Sequence, residues 1–195
     1  NLTQSINENG ILSPIIVRPI ENGEYEIISG HRRLFAGKQA GLTKIPAMVC
    51  EMDRDTAAVT LVDSNLHREN ILPSEKAYAY KLKAEALSHQ GKRTDLTSGQ
   101  FVPKSDDNRT SAEIGEPYGE SYKTVQRYIR LTNLHPKLLK YVDDGRIAFT
   151  PAVELSYLND IEQRDLLQAM ELNDCSPSLS QAVRMKKLSQ AGELT

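Results

Sequence analysis

The sequence has few cysteines, no long apolar run and almost no net charge. Its two cysteines, Cys50 and Cys175, lie far apart, which is typical of reduced thiols in a cytoplasmic protein and argues against a disulfide scaffold or a zinc site. No apolar run reaches the roughly 18–20 residues that cross a bilayer, so we expect no membrane partner. The chain opens on Asn1, which is not a natural start, without a secretory signal, so this sequence alone does not define the true N-terminus.

The small net charge, −2 over 195 residues, hides an uneven distribution. Residues 122–142 contain no acidic residue, but they include Lys123, Arg127, Arg130, Lys137 and Lys140. A local basic patch can hold phosphate where the mean charge predicts no affinity. A solvated helix face explains the same pattern equally well, so charge alone does not decide between the two interpretations.

The first 90 residues alternate between helix and strand patterns. We expect a helix at 2–10, strands at 13–20 and 24–29 that pair as a hairpin, a helix at 31–41 and a third strand at 44–52. Asp55 is predicted to cap a helix with apolar residues at 58, 59, 62 and 66. Pro73 is predicted to begin a longer helix that ends near Gln90.

The composition changes at residue 88. Residues 88–111 are polar and lack periodicity, which predicts a linker or surface loop. No strand pattern follows; residues 112–195 are typical of short helices, with a closing helix within 176–192. The predicted fold class is therefore α+β, with an α/β domain at 1–87, a linker at 88–111 and an all-helical domain at 112–195.

The segment Thr110–Leu134 has the spacing of a helix-turn-helix. Ile114 would point inward from the first helix, and Gly115 would lie where the two helices cross too closely for a side chain. Gly119 would adopt a positive φ in the turn. Val125 would anchor the second helix. Together these positions predict a DNA-binding motif near 110–134.

The second helix of this segment has a basic face, with Ser121 as its predicted N-cap. Its Lys, Gln and Arg side chains recur at helical spacing and carry donors for phosphate oxygens and base edges. The predicted DNA contacts are Ser121, Lys123, Thr124, Gln126, Arg127, Arg130, Lys137 and Lys140. Two residues depart from the motif: Pro117 can shorten the first helix, and Glu120 occupies a turn position that is more often apolar.

A strand-to-helix junction at Ser29–Gly30 is followed by His31, Arg32 and Arg33. Free N–H groups at a helix N-terminus beside two guanidinium groups are typical of a phosphate site, and Gly30 would let a ligand approach the backbone. A plain turn with two solvated arginines is the alternative interpretation.

A second polar cluster, residues 63–70, follows an amphipathic helix. Asn65 and Glu69 are suited to ligate Mg²⁺ or its waters, and Arg68 to bind another phosphate. A polar helix end is the alternative, and by itself the simpler one.

The order of these features resembles the ParB/Spo0J/Noc family of DNA-partition proteins. The stretches GILSPIIVRPI, ISGHRRLFAGKQAGLTKIPAMV and SNLHRENILPSEKAYAYK precede the helix-turn-helix pattern, and the resemblance covers residues 2 to about 158. It implies an N-terminal CTP-binding domain, a central domain that binds palindromic centromere-like DNA, and a C-terminal dimerisation domain that is absent or incomplete here. It also implies a CTP-dependent homodimeric clamp that slides on DNA, and a ParA-type ATPase partner. The expected location is the cytoplasm, on the nucleoid or a plasmid.

The resemblance implies site residues where the family motifs fall on this sequence. The nucleotide site would comprise Ser13, Pro14, Arg18, Ser29, Gly30, His31, Arg32, Arg33, Ala36, Asn65 and Arg68. Asn65 and Glu69 would bind Mg²⁺, and Glu69 and Asp63 are the candidates for catalysis. Two family glutamates are replaced, by His31 and Ser64, so we expect phosphate binding to survive and CTP hydrolysis to be slow or differently tuned. The variant motifs and the 88–111 insertion are more similar to plasmid or conjugative-element members.

Two other functions stay open. ParB-like domains also occur in small-molecule kinases and in proteins described as nucleases, and His31 gives the first motif some likeness to the kinase variants. The helix-turn-helix argues against a free-serine kinase, which has no need of DNA. A transcription regulator whose first domain only dimerises is the third interpretation, and nucleotide binding would distinguish it from a partition protein.

Overall fold

The computed structural model describes residues 2–66, 70–95 and 114–194. The chain divides into two compact units, Asn1–Asn65 and Leu66–Thr195. The first unit is mixed α and β, and the described part of the second is helical. The predicted α+β class is therefore confirmed. Within the described residues, no helix is both long and apolar enough to span a bilayer.

The first unit is built on a small three-stranded sheet. Its elements are α1 (Leu2–Asn9), β1 (Ile15–Pro19), β2 (Tyr25–Ser29), α2 (His31–Gln39), β3 (Ala47–Val49) and α3 (Arg54–Leu66). The strand order is β2-β1-β3, with β1 antiparallel to β2 and parallel to β3. The predicted hairpin is confirmed, and the third strand is shorter than the predicted 44–52.

The pleat of β1 explains how this sheet is covered. Ile15 and Val17 alternate along the strand and are both buried, because side chains two residues apart lie on the same face. They belong to a core that also contains Ile6, Ile28, Ala36, Ala57 and Val62. Helix α2 begins directly after β2, the strand that pairs with the central strand β1.

The cap of α3 differs from the prediction. Asp53 accepts a hydrogen bond from the backbone N–H of Thr56 at 2.8 Å, so Asp53 is the capping side chain. The prediction of Asp55 was wrong, since the helix begins at Arg54 and Asp55 falls inside its first turn. An N-cap carboxylate reaches the N–H two or three residues further on, which is the geometry that Asp53 has.

In its described residues, the second unit consists of helices packed around one apolar core. They are α4 (Pro73–Asp95), α5 (Tyr122–Leu131), α6 (Pro136–Asp143), α7 (Phe149–Leu155), α8 (Asp160–Asn173) and α9 (Leu179–Ala191). Leu131, Leu138, Leu155 and Met170 are almost completely buried in this core. Capping boxes at Asn159 and Ser178 define where α8 and α9 begin.

Helix α4 changes two of the predicted boundaries. It continues to Asp95, past the predicted end near Gln90, so the predicted linker at 88–111 begins inside a helix; residues 96–111 lie outside the described part. Ala77 of α4 is buried in the core of the second unit. That packing places α4 in the helical unit, which begins at Leu66. The predicted boundary between the domains was residue 87.

Candidate functional site

Gly30 is required at the β2–α2 junction for a reason that the sequence did not show. It is the N-cap of α2, with φ +104°, a conformation that side chains disfavour. A Cβ at this position would lie 2.6 Å from Cγ2 of Ile15. The positive φ and the close packing on β1 are therefore two reasons for a glycine here, and access for a ligand stays a prediction.

His31 and Arg32 are exposed in the first turn of α2. They line a groove of about 400 Å³ with Leu2, Thr3, Phe35, Ala36 and Gln39. The groove lies beside the N-terminus of a helix, where free N–H groups and the helix dipole favour an anion. The structure thus brings His31, Arg32 and Ala36 together around a surface suited to phosphate.

Arg33 contacts the backbone of the loop before β1. Its Nη1 donates to the carbonyl oxygens of Ser13 at 2.6 Å and Pro14 at 2.8 Å. These three predicted site residues are therefore close together, and the guanidinium group holds the loop in place. The predicted contact of Arg33 with nucleotide stays a prediction.

Arg18 is paired across the hairpin. Its Nε lies 2.6 Å from Oε2 of Glu26, and the two residues are opposite each other in the β1–β2 register. The side chain of Arg18 is 15% exposed, and its pair with Glu26 partly neutralises its charge before any ligand binds. Ser29, the last residue of β2, leads directly into Gly30.

The second polar cluster lies at the C-terminal end of α3. Ser64 Oγ donates to the carbonyl oxygen of Leu61 at 2.8 Å, and Asn65 Nδ2 donates to the same oxygen at 3.0 Å. The C-terminal end of a helix dipole favours a cation over a phosphate, which is compatible with the predicted metal role of Asn65. Asp63 is in the same turn, whereas Arg68 and Glu69 lie outside the described residues. In the described ranges, no group of three or more His, Cys, Asp or Glu side chains is placed to hold a metal ion.

The turn before α5 has the local geometry that the sequence predicted. A Cβ on Gly115 would overlap the carbonyl oxygen of Glu120 and lie 2.8 Å from Cγ2 of Val125. Gly119 has φ +67°. Ser121 Oγ accepts the N–H of Thr124 at 3.2 Å and caps the helix. Ile114 is completely buried, while residues 110–113 of the predicted first helix lie outside the described part.

The two arginines of the basic face contact α7 and the two residues that follow it. Arg127 Nη2 donates to Oγ1 of Thr150 at 2.9 Å, and its guanidinium carbon lies 4.9 Å from the ring centroid of Phe149. Arg130 Nη2 donates to the carbonyl oxygen of Ser156 at 3.2 Å, and its guanidinium carbon lies 4.0 Å from the ring centroid of Tyr157. These two side chains are half-buried, and their hydrogen bonds fix their orientation. The interpretation of this face as freely solvated charges therefore does not hold for Arg127 and Arg130.

Four of the other predicted DNA contacts differ in exposure. Lys123 and Lys140 are exposed, and Gln126 is half-buried. Lys137 is exposed, with its Nζ 3.4 Å from Oε1 of Glu171. A weak exposed ion pair of this kind exchanges readily for a phosphate contact because it contributes little energy.

Sequence reasoning missed the role of Glu120. Its carboxylate accepts hydrogen bonds from Lys76 and Tyr80 of α4, 44 and 40 residues earlier in the chain. Burial and this carboxylate raise the pKa of Tyr80 far above its usual range. No local pattern could have shown this, because the partners meet only through helix packing.

The chain is similar in sequence to known proteins. Residues 1–66 match the ParB N-terminal domain. The chain is 33% identical over 153 residues to a probable chromosome 1-partitioning protein ParB of Deinococcus radiodurans, covering 77% of this chain and 45% of that protein. It is 32% identical over 195 residues to a nucleoid occlusion protein of Geobacillus thermodenitrificans, covering 98% and 61%. The chain spans about half the length of the curated relatives it matches.

One solved structure shares the fold over most of the chain. It is a C-terminally truncated ParB from Caulobacter crescentus in complex with the centromeric parS site, with a TM-score of 0.51, 22% identity, and coverage of 97% of this chain and 87% of that one. The match over residues 1–66 and the shared fold therefore define a ParB-type N-terminal domain followed by a helical unit. The chain belongs to the ParB/Spo0J/Noc family.

Proposed function

We propose that this chain is a CTP-dependent, sequence-specific DNA-binding protein that loads at a palindromic centromere-like site and acts as a DNA clamp in plasmid or chromosome partition. The observation that carries the proposal is that one chain has two surfaces with the chemistry to bind anions: the α2 groove with His31 and Arg32, and the basic face of α5. The names of the two relatives, which refer to chromosome partition and to nucleoid occlusion, support the same role.

On the nucleotide side, the triphosphate would lie at the α2 N-terminus. Arg32 would contact its oxygens, while Arg33 would keep the loop of Ser13 and Pro14 in position. A Mg²⁺ ion held by Asn65 and Glu69 would neutralise part of the phosphate charge. The choice of CTP over ATP rests on family membership alone, and Asp63 and Glu69 remain the candidates for slow hydrolysis.

On the DNA side, α5 would enter a major groove as the second helix of a helix-turn-helix. Gln126 and Arg127 would reach base edges, and Lys123 and Arg130 would contact bases or phosphates. Lys137 and Lys140 would contact phosphates only. A homodimer would match a palindromic site, because each half-site then receives one copy of α5.

The proposal is tested by measuring nucleotide binding and DNA binding in the same protein. We expect CTP, but not ATP, GTP or UTP, to bind, and palindromic DNA to change that affinity. Site-specific crosslinking between the first units of two copies of the chain should increase when CTP and cognate DNA are both present. DNA recognition without nucleotide binding would indicate a simple regulator, and nucleotide binding without DNA recognition would indicate an enzyme. Equal crosslinking in all conditions would remove the clamp mechanism.

A further inference from the structure

Glu120 lies at the point where the turn ends and α5 begins. Its backbone N–H donates to the carbonyl oxygen of Gly115 at 3.0 Å, and the next residue, Ser121, caps the helix. The side chain of Glu120 is only 17% exposed. A largely buried carboxylate needs partners, since an unpaired one is costly to remove from water.

Both partners of this carboxylate come from one face of α4. Lys76 Nζ pairs with Oε1 of Glu120, and the Tyr80 hydroxyl donates to Oε2 at 3.0 Å. Residues four apart on a helix are neighbours on its surface, so one turn of α4 holds both oxygens of the carboxylate. Two donors on two oxygens fix its rotation as well as its position.

The same two side chains also contact the inner face of α5. Lys76 Nζ lies 4.8 Å from the ring centroid of Tyr128, and the Tyr80 ring meets the Tyr128 ring edge-on at 5.8 Å between centroids. The ring centroid of Tyr128 lies 4.6 Å from that of Phe149. The guanidinium group of Arg127 lies over this same Phe149 ring. One turn of α4 therefore holds α5 both at its N-terminal turn and at its middle.

We propose that Glu120 is a positioning residue for DNA recognition. Its hydrogen bonds with Lys76 and Tyr80 fix the N-terminal end and the orientation of α5. This inference rests on the proposed DNA-binding function of α5. It gives Glu120 a role opposite to the one its charge suggests. A carboxylate near DNA should simply repel phosphates, whereas a positioning carboxylate should be needed for sequence discrimination.

The two roles predict different effects of Glu120→Gln, measured in the full chain. For DNA, the probes are a duplex that the wild-type protein selects from a randomised pool and a base-composition-matched scrambled duplex. We expect the affinity ratio between them to fall about tenfold, with the scrambled duplex bound as well as before or better. An equal gain in affinity for both duplexes would show that Glu120 only repels the DNA phosphates. Unchanged affinities would show that Glu120 has no role in binding. Either result overturns the proposal.

A second measurement does not depend on DNA. Amide hydrogen exchange in residues 121–125 of the free protein should become at least tenfold faster in Glu120→Gln and in Lys76→Met. The double variant should show less than the product of the two single effects, because the remaining charge is no longer left unpaired. Tyr80→Phe, which removes one hydroxyl, should have a smaller effect and serves as the milder variant if either of the others fails to fold.

Asp174→Asn is the matched control. It makes the same charge change at a carboxylate that is 95% exposed and pairs with Arg146 at 2.9 Å. Exchange in residues 121–125 that is no faster in Glu120→Gln than in Asp174→Asn would overturn the proposal. If the wild-type protein selects no sequence from the pool, the proposed DNA-binding function is refuted, and the role of Glu120 in recognition is refuted with it. The exchange result would then still decide whether Glu120 holds the helix.

Discussion

Gly30→Ala should destabilise the first unit through two separate physical effects. The backbone at Gly30 has φ +104°, and a left-handed conformation costs a residue with a Cβ about 1–2 kcal/mol. The new Cβ would also lie 2.6 Å from Cγ2 of Ile15, a buried residue on the central strand. Overpacking of this kind costs about 1–3 kcal/mol, while the stiffer unfolded chain returns about 0.4–1 kcal/mol. We therefore expect a loss of about 2–4 kcal/mol.

The assay must measure the first unit separately, because a chain with two compact units does not guarantee one two-state transition. Hydrogen exchange of amides in β1 and β2 at low denaturant reports the opening free energy of that unit. Gly41→Ala is the control: Gly41 also has a positive φ of +76°, but nothing lies within 4 Å of its added Cβ. The control should lose only about 1 kcal/mol, since it has the backbone cost without the clash.

The difference between the two glycine variants tests the packing argument directly. If Gly30→Ala is no more destabilising than Gly41→Ala, Ile15 does not restrict this position, and access for a ligand becomes the better reason for the glycine. In that case Gly30→Ala should weaken nucleotide binding while the opening free energy changes only as much as in the control.

The other predictions concern the two proposed sites and one buried tyrosine. Arg32→Ala should weaken CTP binding at least tenfold, since a charge-assisted hydrogen bond contributes about 1.5–3 kcal/mol; an unchanged affinity by calorimetry would reject the α2 groove as the triphosphate site. Arg127→Ala should relax base preference at one position at a cost of about 1–3 kcal/mol, whereas Lys140→Ala should weaken binding to all sequences alike; selection from a randomised duplex pool distinguishes them. The raised pKa of Tyr80 means that its folded form keeps a proton that the unfolded form loses above about pH 10. Stability of the second unit should therefore fall above that pH by up to about 1.4 kcal/mol per pH unit, and less steeply in Tyr80→Phe, as unfolding titrations would show.

Features of the sequence that depend on near neighbours predicted their structures well. The hairpin between β1 and β2, the positive φ of Gly119 and the Ser121 cap are all confirmed. Each depends on residues within a few positions of one another, so alternation, turn composition and capping chemistry suffice to predict them. The order of the family motifs likewise predicted the family.

The tertiary structure alone decided which groups those residues meet. Arg33 donates hydrogen bonds to carbonyl oxygens 19 and 20 residues earlier. Gly30 packs on Ile15 of β1, the first strand of the hairpin. Glu120, which counted against the helix-turn-helix pattern in the sequence, is paired with two donors on α4. Periodicity and propensity describe one helix or strand at a time. The partner of a buried charge is set by how separate elements pack, because that packing alone brings residues 40 positions apart within hydrogen-bonding distance.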